Sequence, residues 1–443
     1  MNAEVRQIRT AAEQGLSDAY AATKEQLPGA GAIAALRDQA FARFEAVGLP
    51  HRRIEEWKYT DLRAAMREAK PLAAPPDAGT RARMRDAGVT VAGVEARRLI
   101  FINGMFVPDI SDLVALEPGL TIGSMADALA AADPFVVSRF GRVDASGDVA
   151  LALNTAFMGD GAVIRVAPGT TLQRPLHLVF TFDGAPGASF VRSLVEVGAG
   201  ARLALIESYE SAEGRDDQVN AVVELMVGDK AHVDHVKIGA ESTGALHVAS
   251  LVATIGADAH LNTFVFNTGG ALVRNQLFLT LDKSGATLRV GGASLLKGRQ
   301  HADLTLLLDH ASGGCQSREV FKTVLDERSR GVFQGRIIVR PKAQKTDARM
   351  MSRALLLSED AEADNKPELE IFADDVQCGH GATAGALDDN LKFYLMARGI
   401  PEKEAEALLV QAFIGEAIEG IEHAGLRDAL MEASVRWLEA RSG

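Results

Sequence analysis

Cysteine is nearly absent from this chain: Cys315 and Cys378 are the only two in 443 residues. Two thiols cannot build a disulfide framework, and their scarcity suits a reducing cytosol. Aromatic residues make up only 5%, so Trp57 and Tyr59 in Arg52-Arg53-Ile54-Glu55-Glu56-Trp57-Lys58-Tyr59-Thr60 stand out; they read as a packed anchor rather than a site. Positive charge is not in excess. A formal net charge of -12 and a pI near 5.4 argue against nucleic acid or an anionic membrane as the main partner. No stretch approaches the roughly 20 apolar residues of a membrane helix. The first residues, MNAEVRQIRTAAEQG, lack the apolar core of a signal peptide. No Gly-x4-Gly-Lys-Ser/Thr phosphate loop occurs, so no nucleotide is expected to bind. What remains is the composition of a soluble, folded chain, long enough for about three domains.

Between residues 150 and 380 the chain is rich in Val, Leu, Ile, Thr and Gly, in short alternating runs broken by small-residue turns. That is the pattern of many strands. The turns recur: Thr170, Ala201, Ala231, Ala259, Ala286, Gly314 and Ala343 mark matching positions at steps of 31, 30, 28, 27, 28 and 29 residues. A unit of this length with strands but no helical pattern cannot bury its own apolar face and must stack on the next. The expectation is a mainly β protein whose core, residues 146–384, is a parallel β-helix. A β-sandwich has similar strand spacing but gives no reason for a sustained period. Gly291-Gly292 and Gly313-Gly314 read as solenoid corners that need positive φ.

The flanks differ from this core. Residues 1–145 are expected to form an N-terminal helical and α/β region. Ile33, Leu36, Ala40, Phe44 and Val47 recur at steps of 3 and 4, which predicts a helix over 32–48 ended by Leu49-Pro50. Residues 3–25 carry a weaker helical pattern, 70–77 form a connector, and 99–104 a strand and turn in an adjoining α/β segment. Residues 385–443 are expected to form a C-terminal helical domain. One helix over 388–397 closes at Gly399, a second enters at Pro401, and a last one carries Leu426, Leu430, Ala433 and Trp437 on one face. Their apolar faces are expected to pack together.

His232 and His235, at i and i+3 of a strand, point to opposite faces and read as exposed polar positions rather than a metal pair. His177, His247, His260, His301 and His310 read the same way, and the acidic run 359–364 reads as a solvated loop. Cys378 and His380 are the exception. If the strand over 369–376 continues, i and i+2 place thiol and imidazole on one face. The imidazole would lower the thiol pKa, and both groups ligate borderline metals. A complete iron–sulfur cluster wants about four ligands, mainly thiolates. Any such site is therefore incomplete in this chain alone.

The segment 354–383, through Gln377-Cys378-Gly379-His380-Gly381, followed by Phe393-Tyr394-Leu395-Met396-Ala397-Arg398-Gly399-Ile400, resembles the carboxyl signature of SufD members of the SufB/SufD family. These are iron–sulfur cluster assembly proteins of the SUF system. Residues 53–60 resemble the family's N-terminal signature, so the resemblance spans nearly the whole chain. It implies a right-handed parallel β-helix acting in the cytoplasm as a non-catalytic scaffold of a SufBCD complex. A SufB-like paralogue would meet the end of the β-helix, and a SufC-like ATPase the C-terminal helices. The family's Cys-x-His falls on Cys378 and His380, as metal residues for iron or a nascent cluster that is transient and shared with a partner subunit. Gly379 departs from the small polar residue expected between them. Two rival expectations stand beside this one. A β-helix polysaccharide-acting enzyme would want a carboxylate groove with Arg or Lys and a secretion signal; an inert structural adaptor would need no chemistry at Cys378 or His380.

Overall fold

The computed structural model describes residues 9–141 and 147–442. The boundary expected at 145–146, and the first residues of the helix expected from residue 3, lie outside them. Along the core, successive strands go to opposite sheets, so each coil gives one strand to a ten-stranded sheet and one to a nine-stranded sheet. Pairing between coils is parallel, and Arg202, His232, His260, Thr287, Gln316, Asp347 and Gln377 lie in one register. This is a parallel β-solenoid of about 8 turns.

A recurring corner explains the period. Gly169, Gly200, Lys230, Asp258, Gly285, Gly314 and Lys345 all hold positive φ, one per coil. Beside them Ala201, Ala231, Ala259 and Ala286 are fully buried, where a larger side chain would split the turn. In the last coils the register places Cys315 and Thr346, rather than Gly314 and Ala343, beneath Ala286. For Ala343 the reason is local: the connection after Val339 holds two tight turns where earlier corners hold one, whereas Gly314 is the left-handed residue one position before the buried Cys315. Gly314 is a corner, with φ +71°. Gly291 and Gly292 are not. They sit inside the strand Thr287–Leu296, where added Cβ atoms would meet Phe264 at 2.4 Å and Phe321 at 2.9 Å. Close aromatic packing on both faces, not backbone freedom, requires glycine there.

The two ends of the solenoid differ. Arg97–Ile102 joins the ten-stranded sheet parallel to Leu176–Thr181, and Met105–Phe106 closes that edge antiparallel. Leu120–Ser124 closes the nine-stranded sheet antiparallel to Ala162–Val166. The segment expected to adjoin the core thus continues and caps it. At the far end Glu362–Ile371 and Gln377–Gly385 are terminal strands, with no further strand beyond them among the described residues.

Helices cover the outer faces. Thr10 caps Ala11–Thr23, with its hydroxyl accepting from the Glu13 N–H at 3.2 Å while the Glu13 carboxylate accepts from the Thr10 N–H at 2.7 Å. With Ala32–Val47 and Val149–Phe157 it buries Tyr20, Phe41, Phe44 and Phe157. Trp57 is the anchor that the sequence suggests: it is 2% exposed, its Nε1 donates to Asp148 Oδ2 at 3.1 Å, and the Arg274 guanidinium lies 3.9 Å from its ring. Thr60 donates to Asp303 beside it. The N-terminal part is therefore fastened to the outer face of the nine-stranded sheet.

At the other terminus lie the helices Asp389–Met396, Glu402–Ile418 and Ala424–Ser442. Ile414, Ile418, Leu426 and Leu430 pack on Val236, Phe264, Phe266 and Leu295, the outer face of the ten-stranded sheet, as well as on each other. Among the described residues no helix is long and apolar enough to cross a membrane.

Candidate functional site

The strand expected to run from 369 into the Cys–His pair ends at Ile371; the chain then crosses to the other sheet and begins Gln377–Gly385. The two-residue spacing survives this break because Cys378 and His380 both lie on the new strand. They pair with Ala348 and Met350, which are 0% and 2% exposed on the inward ladder. Both therefore face the solenoid interior at its open end. Cys378 is half-buried against the core and His380 is exposed.

Burial pushes the Cys378 thiol up, a backbone bond from Ala348 pulls it back, and the Asp347 and Glu319 charges add to the rise. This is opposite to the lowering expected from a neighbouring imidazole. The physical reason is an apolar wall with carboxylates close by, so the thiol is protonated at rest and must give up its proton to ligate. Cys315 cannot help. It is fully buried at a corner, two coils below, and its thiol donates to the Lys283 carbonyl at 3.3 Å.

Stepping back two coils from His380, through Met350, reaches Glu319. Its side chain is fully buried, and neither carboxylate oxygen has a hydrogen-bond partner. Burial pushes its carboxyl up to about 8, offset only in part by the Ser317 hydroxyl and the Arg318 charge. Sequence reasoning passed over this residue. The signal that finds it is the repeat itself, once its register is carried into the last coils.

Farther down, the interior holds a paired polar cluster, in which Lys237 Nζ, Glu241 Oε2 and His247 Nε2 alone accept or donate no hydrogen bond. His235 Nε2 lies 2.7 Å from Glu207 Oε1, its Nδ1 lies 2.9 Å from the Thr263 hydroxyl, and Tyr209 donates to Glu207 at 2.9 Å. Glu241 pairs with His247, and the Lys237 ammonium lies 4.7 Å from the Tyr209 ring. His235, His247, His177 and His310 are buried rather than exposed as expected, because alternation identifies two faces without saying which is covered. His232 does face the other way from His235. On the outer surface its Nε2 lies 3.6 Å from Asp234 and 3.2 Å from Glu422, bridging the sheet to the linker between the last two helices. The hydrogen bond to Asp234 holds its pKa up against burial. The acidic run is only partly a loop: Asp364 lies within a strand and accepts from Arg330 at 2.6 Å. A depression of about 460 Å³ at this end is lined by Glu319, Met350, Cys378 and His380, with Arg318 and Arg349 beside them.

Two family models divide this chain between them. One described as SUF system FeS cluster assembly, SufBD core domain, matches residues 180–413; the other, SufBD protein N-terminal region, matches 10–178. The chain is similar to an iron–sulfur cluster assembly SufBD family protein of Synechocystis, 32% identical over 87% of this chain and 86% of that one. It is 31% identical to the iron–sulfur cluster assembly protein SufD of Escherichia coli, over 87% of this chain and 88% of that one. A SufBD family protein of Mycobacterium tuberculosis is 26% identical over 92% of this chain and 94% of its own length.

Proposed function

The chain belongs to the SufB/SufD family and has a role in iron–sulfur cluster assembly within the SUF system, and from that premise we propose that it is a non-catalytic scaffold subunit of a SufBCD-type complex. It pairs with a SufB-like paralogue through the open end of its solenoid and docks a SufC-like ATPase on its C-terminal helices, in the cytoplasm. His380, with Cys378, meets iron or a nascent cluster whose remaining ligands come from the partner.

One observation carries this reading: the end at which, among the described residues, no strand continues either sheet beyond Glu362–Ile371 and Gln377–Gly385 is the end that presents the Cys–His pair. An unpaired strand edge is a template for another chain. Imidazole and thiolate suit a borderline metal such as ferrous iron. The ATPase surface is supported by the helix Asp389–Met396, which leaves Phe393 and Tyr394 72% and 55% exposed while the two helices after it are packed down.

The test is co-expression with SufB-like and SufC-like partners, followed by mass measurement and iron and sulfide analysis. His380→Ala is expected to leave the complex assembled and to bring cluster yield to background. An unchanged yield would remove His380 from the site, and a chain that fails to co-purify would overturn the scaffold reading. A complex holding no iron or sulfide in any variant would leave an inert adaptor.

A further inference from the structure

We propose that Glu319 is a metal ligand held inside the solenoid, so that this chain by itself offers a carboxylate, a thiolate and an imidazole to one divalent cation of the ferrous type. The inference rests on the assembly reading above and adds a residue that neither the Cys-x-His motif nor the family match assigns.

The first argument is contrast. The fold partners its other buried carboxylates without exception among the described residues. Glu207 has His235 and Tyr209; Glu224 has Arg192; Glu241 has His247; Asp303 has Arg274 and Thr60. Glu13, Asp148, Asp160, Asp217 and Asp326 likewise each accept at least one hydrogen bond. Glu319 alone, at 0% exposure, accepts no well-formed hydrogen bond at either oxygen, and the one hydroxyl that eases its charge, Ser317, is engaged with His310 at 3.0 Å. A buried acid with nothing to accept from is costly, and leucine in the same column would pack at no such cost. A carboxyl kept there against that penalty fits a group waiting for a cation.

The second argument is position. Glu319, Met350 and His380 are in direct register on the inward ladder, with Cys378 two residues before His380 on the same face. Two rungs separate the α-carbons of Glu319 and His380 by about 10 Å, within the combined reach of extended Glu and His side chains around a metal. The side chain between them is Met350, a flexible thioether that repacks more readily than a branched residue. Glu319, Met350, Cys378 and His380 line one depression of about 460 Å³. The way in is the exposed His380 at the open end.

The chemistry of the set selects the cation class. Oxygen, sulfur and nitrogen ligands together favour a borderline first-row dication over the hard cations magnesium and calcium. On binding, the carboxyl and thiol protons leave to solvent, and the two positive charges of the ion are met by carboxylate and thiolate. No change of oxidation state is involved.

Cobalt(II) provides the probe. The purified full-length chain is titrated with cobalt(II) chloride under anaerobic conditions, and the thiolate-to-cobalt charge-transfer band is followed. Only a site containing Cys378 produces that band, because Cys315 is fully buried. Glu319→Gln, which keeps shape and neutrality, should weaken cobalt binding at least tenfold while leaving the melting temperature unchanged. Glu319→Leu fills the column with apolar volume and should weaken it in the same way. Cys378→Ser should remove the band and His380→Ala should shift it. Equal affinity and spectrum in wild type, Glu319→Gln and Glu319→Leu would overturn the inference, as would a wild-type chain that gives no thiolate band. Neither result touches the assembly reading, which the cluster yield of His380→Ala in the full complex decides separately.

Discussion

Trp57→Ala should release the N-terminal segment from the nine-stranded sheet without unfolding the solenoid, and the size of the effect can be built from its contacts. The indole is 2% exposed, and truncating a fully buried Trp costs about 3–5 kcal/mol. Part of that is the Arg274 guanidinium, 3.9 Å from the ring and itself 0% exposed, where a desolvated cation–π contact is worth about 2 kcal/mol. The indole N–H contributes about 1 kcal/mol. Its loss strands nothing, because Asp148 still accepts from the Ala150 and Leu151 N–H groups and from Gln276. Trp57→Phe, which keeps an aromatic face for Arg274, should then cost only about 1–2 kcal/mol. At 1.4 kcal/mol per tenfold, a loss of about 4 kcal/mol multiplies local opening by about 10³. Native-state hydrogen exchange reads this directly on the amides that the segment closes, among them Thr60 N–H to Trp57 and Arg63 N–H to Pro50. Equal exchange in the Phe and Ala variants would refute the ring-face argument and put the anchor in the Asp148 hydrogen bond. Unchanged exchange in both would refute the anchor itself.

Four further outcomes follow from single contacts. Gly291→Ala should destabilise by about 1–3 kcal/mol by pushing Phe264 against the C-terminal helices, whereas Gly379→Ala, with nothing within 4 Å of the new Cβ, should stay within about 0.5 kcal/mol; thermal melts separate them. The hydrogen bond to Asp234 holds the folded pKa of His232 above the ordinary imidazole value, so its bridge to Asp234 and Glu422 is fully present below that ordinary value and is lost as pH rises through the folded pKa. Hydrogen exchange over residues 419–425 should accelerate across that window in wild type and be pH-independent, beyond intrinsic rates, in His232→Ala. With iodoacetamide, Cys378 should react slowly and Cys315 only after denaturation; the reverse order by mass spectrometry would contradict their burial. Thr383→Lys, on the exposed last strand, should leave melting unchanged and abolish co-purification of the SufB-like partner.

The period of the solenoid was legible because one corner recurs: a left-handed residue beside a small buried one marks each coil, and both leave their trace in composition. The phase was less so, since Gly314 is the left-handed residue rather than its buried neighbour, and the doubled turn after Val339 carries the last corner past Ala343 while the step stays nearly the same. That Cys378 and His380 share one face was legible from spacing, although the strand expected to carry them ends at Ile371. What spacing could not supply is depth. Alternation along His232 to His235 separates two faces, but the outer face of that sheet is itself covered by Ile414 and Leu430 from the C-terminal helices. Burial there depends on residues nearly two hundred positions away. Glu319 was invisible for a related reason: a glutamate in a strand reads as solvent-facing until register places it beneath Met350 and His380.

The open end also says which of its two edges is meant to be met. Exposed strand edges in soluble proteins are normally blunted by charge or proline. The terminal strand of the nine-stranded sheet, Glu362–Ile371, is blunted heavily, carrying Glu362, Asp364, Lys366, Pro367, Glu368 and Glu370 in ten residues. The terminal strand of the ten-stranded sheet, Gln377–Gly385, carries no Asp, Glu, Lys, Arg or Pro and is mostly glycine and alanine. Left alone, such an edge invites aggregation; the antiparallel strands at the other end show that this fold can close its edges where closure suits it. The unprotected edge is the one bearing Cys378 and His380, so the sheet that a partner strand can extend is the sheet whose interior ladder leads down to Glu319. Pairing there would cover the open mouth of the column and bring the partner's ligands to the three groups on this side.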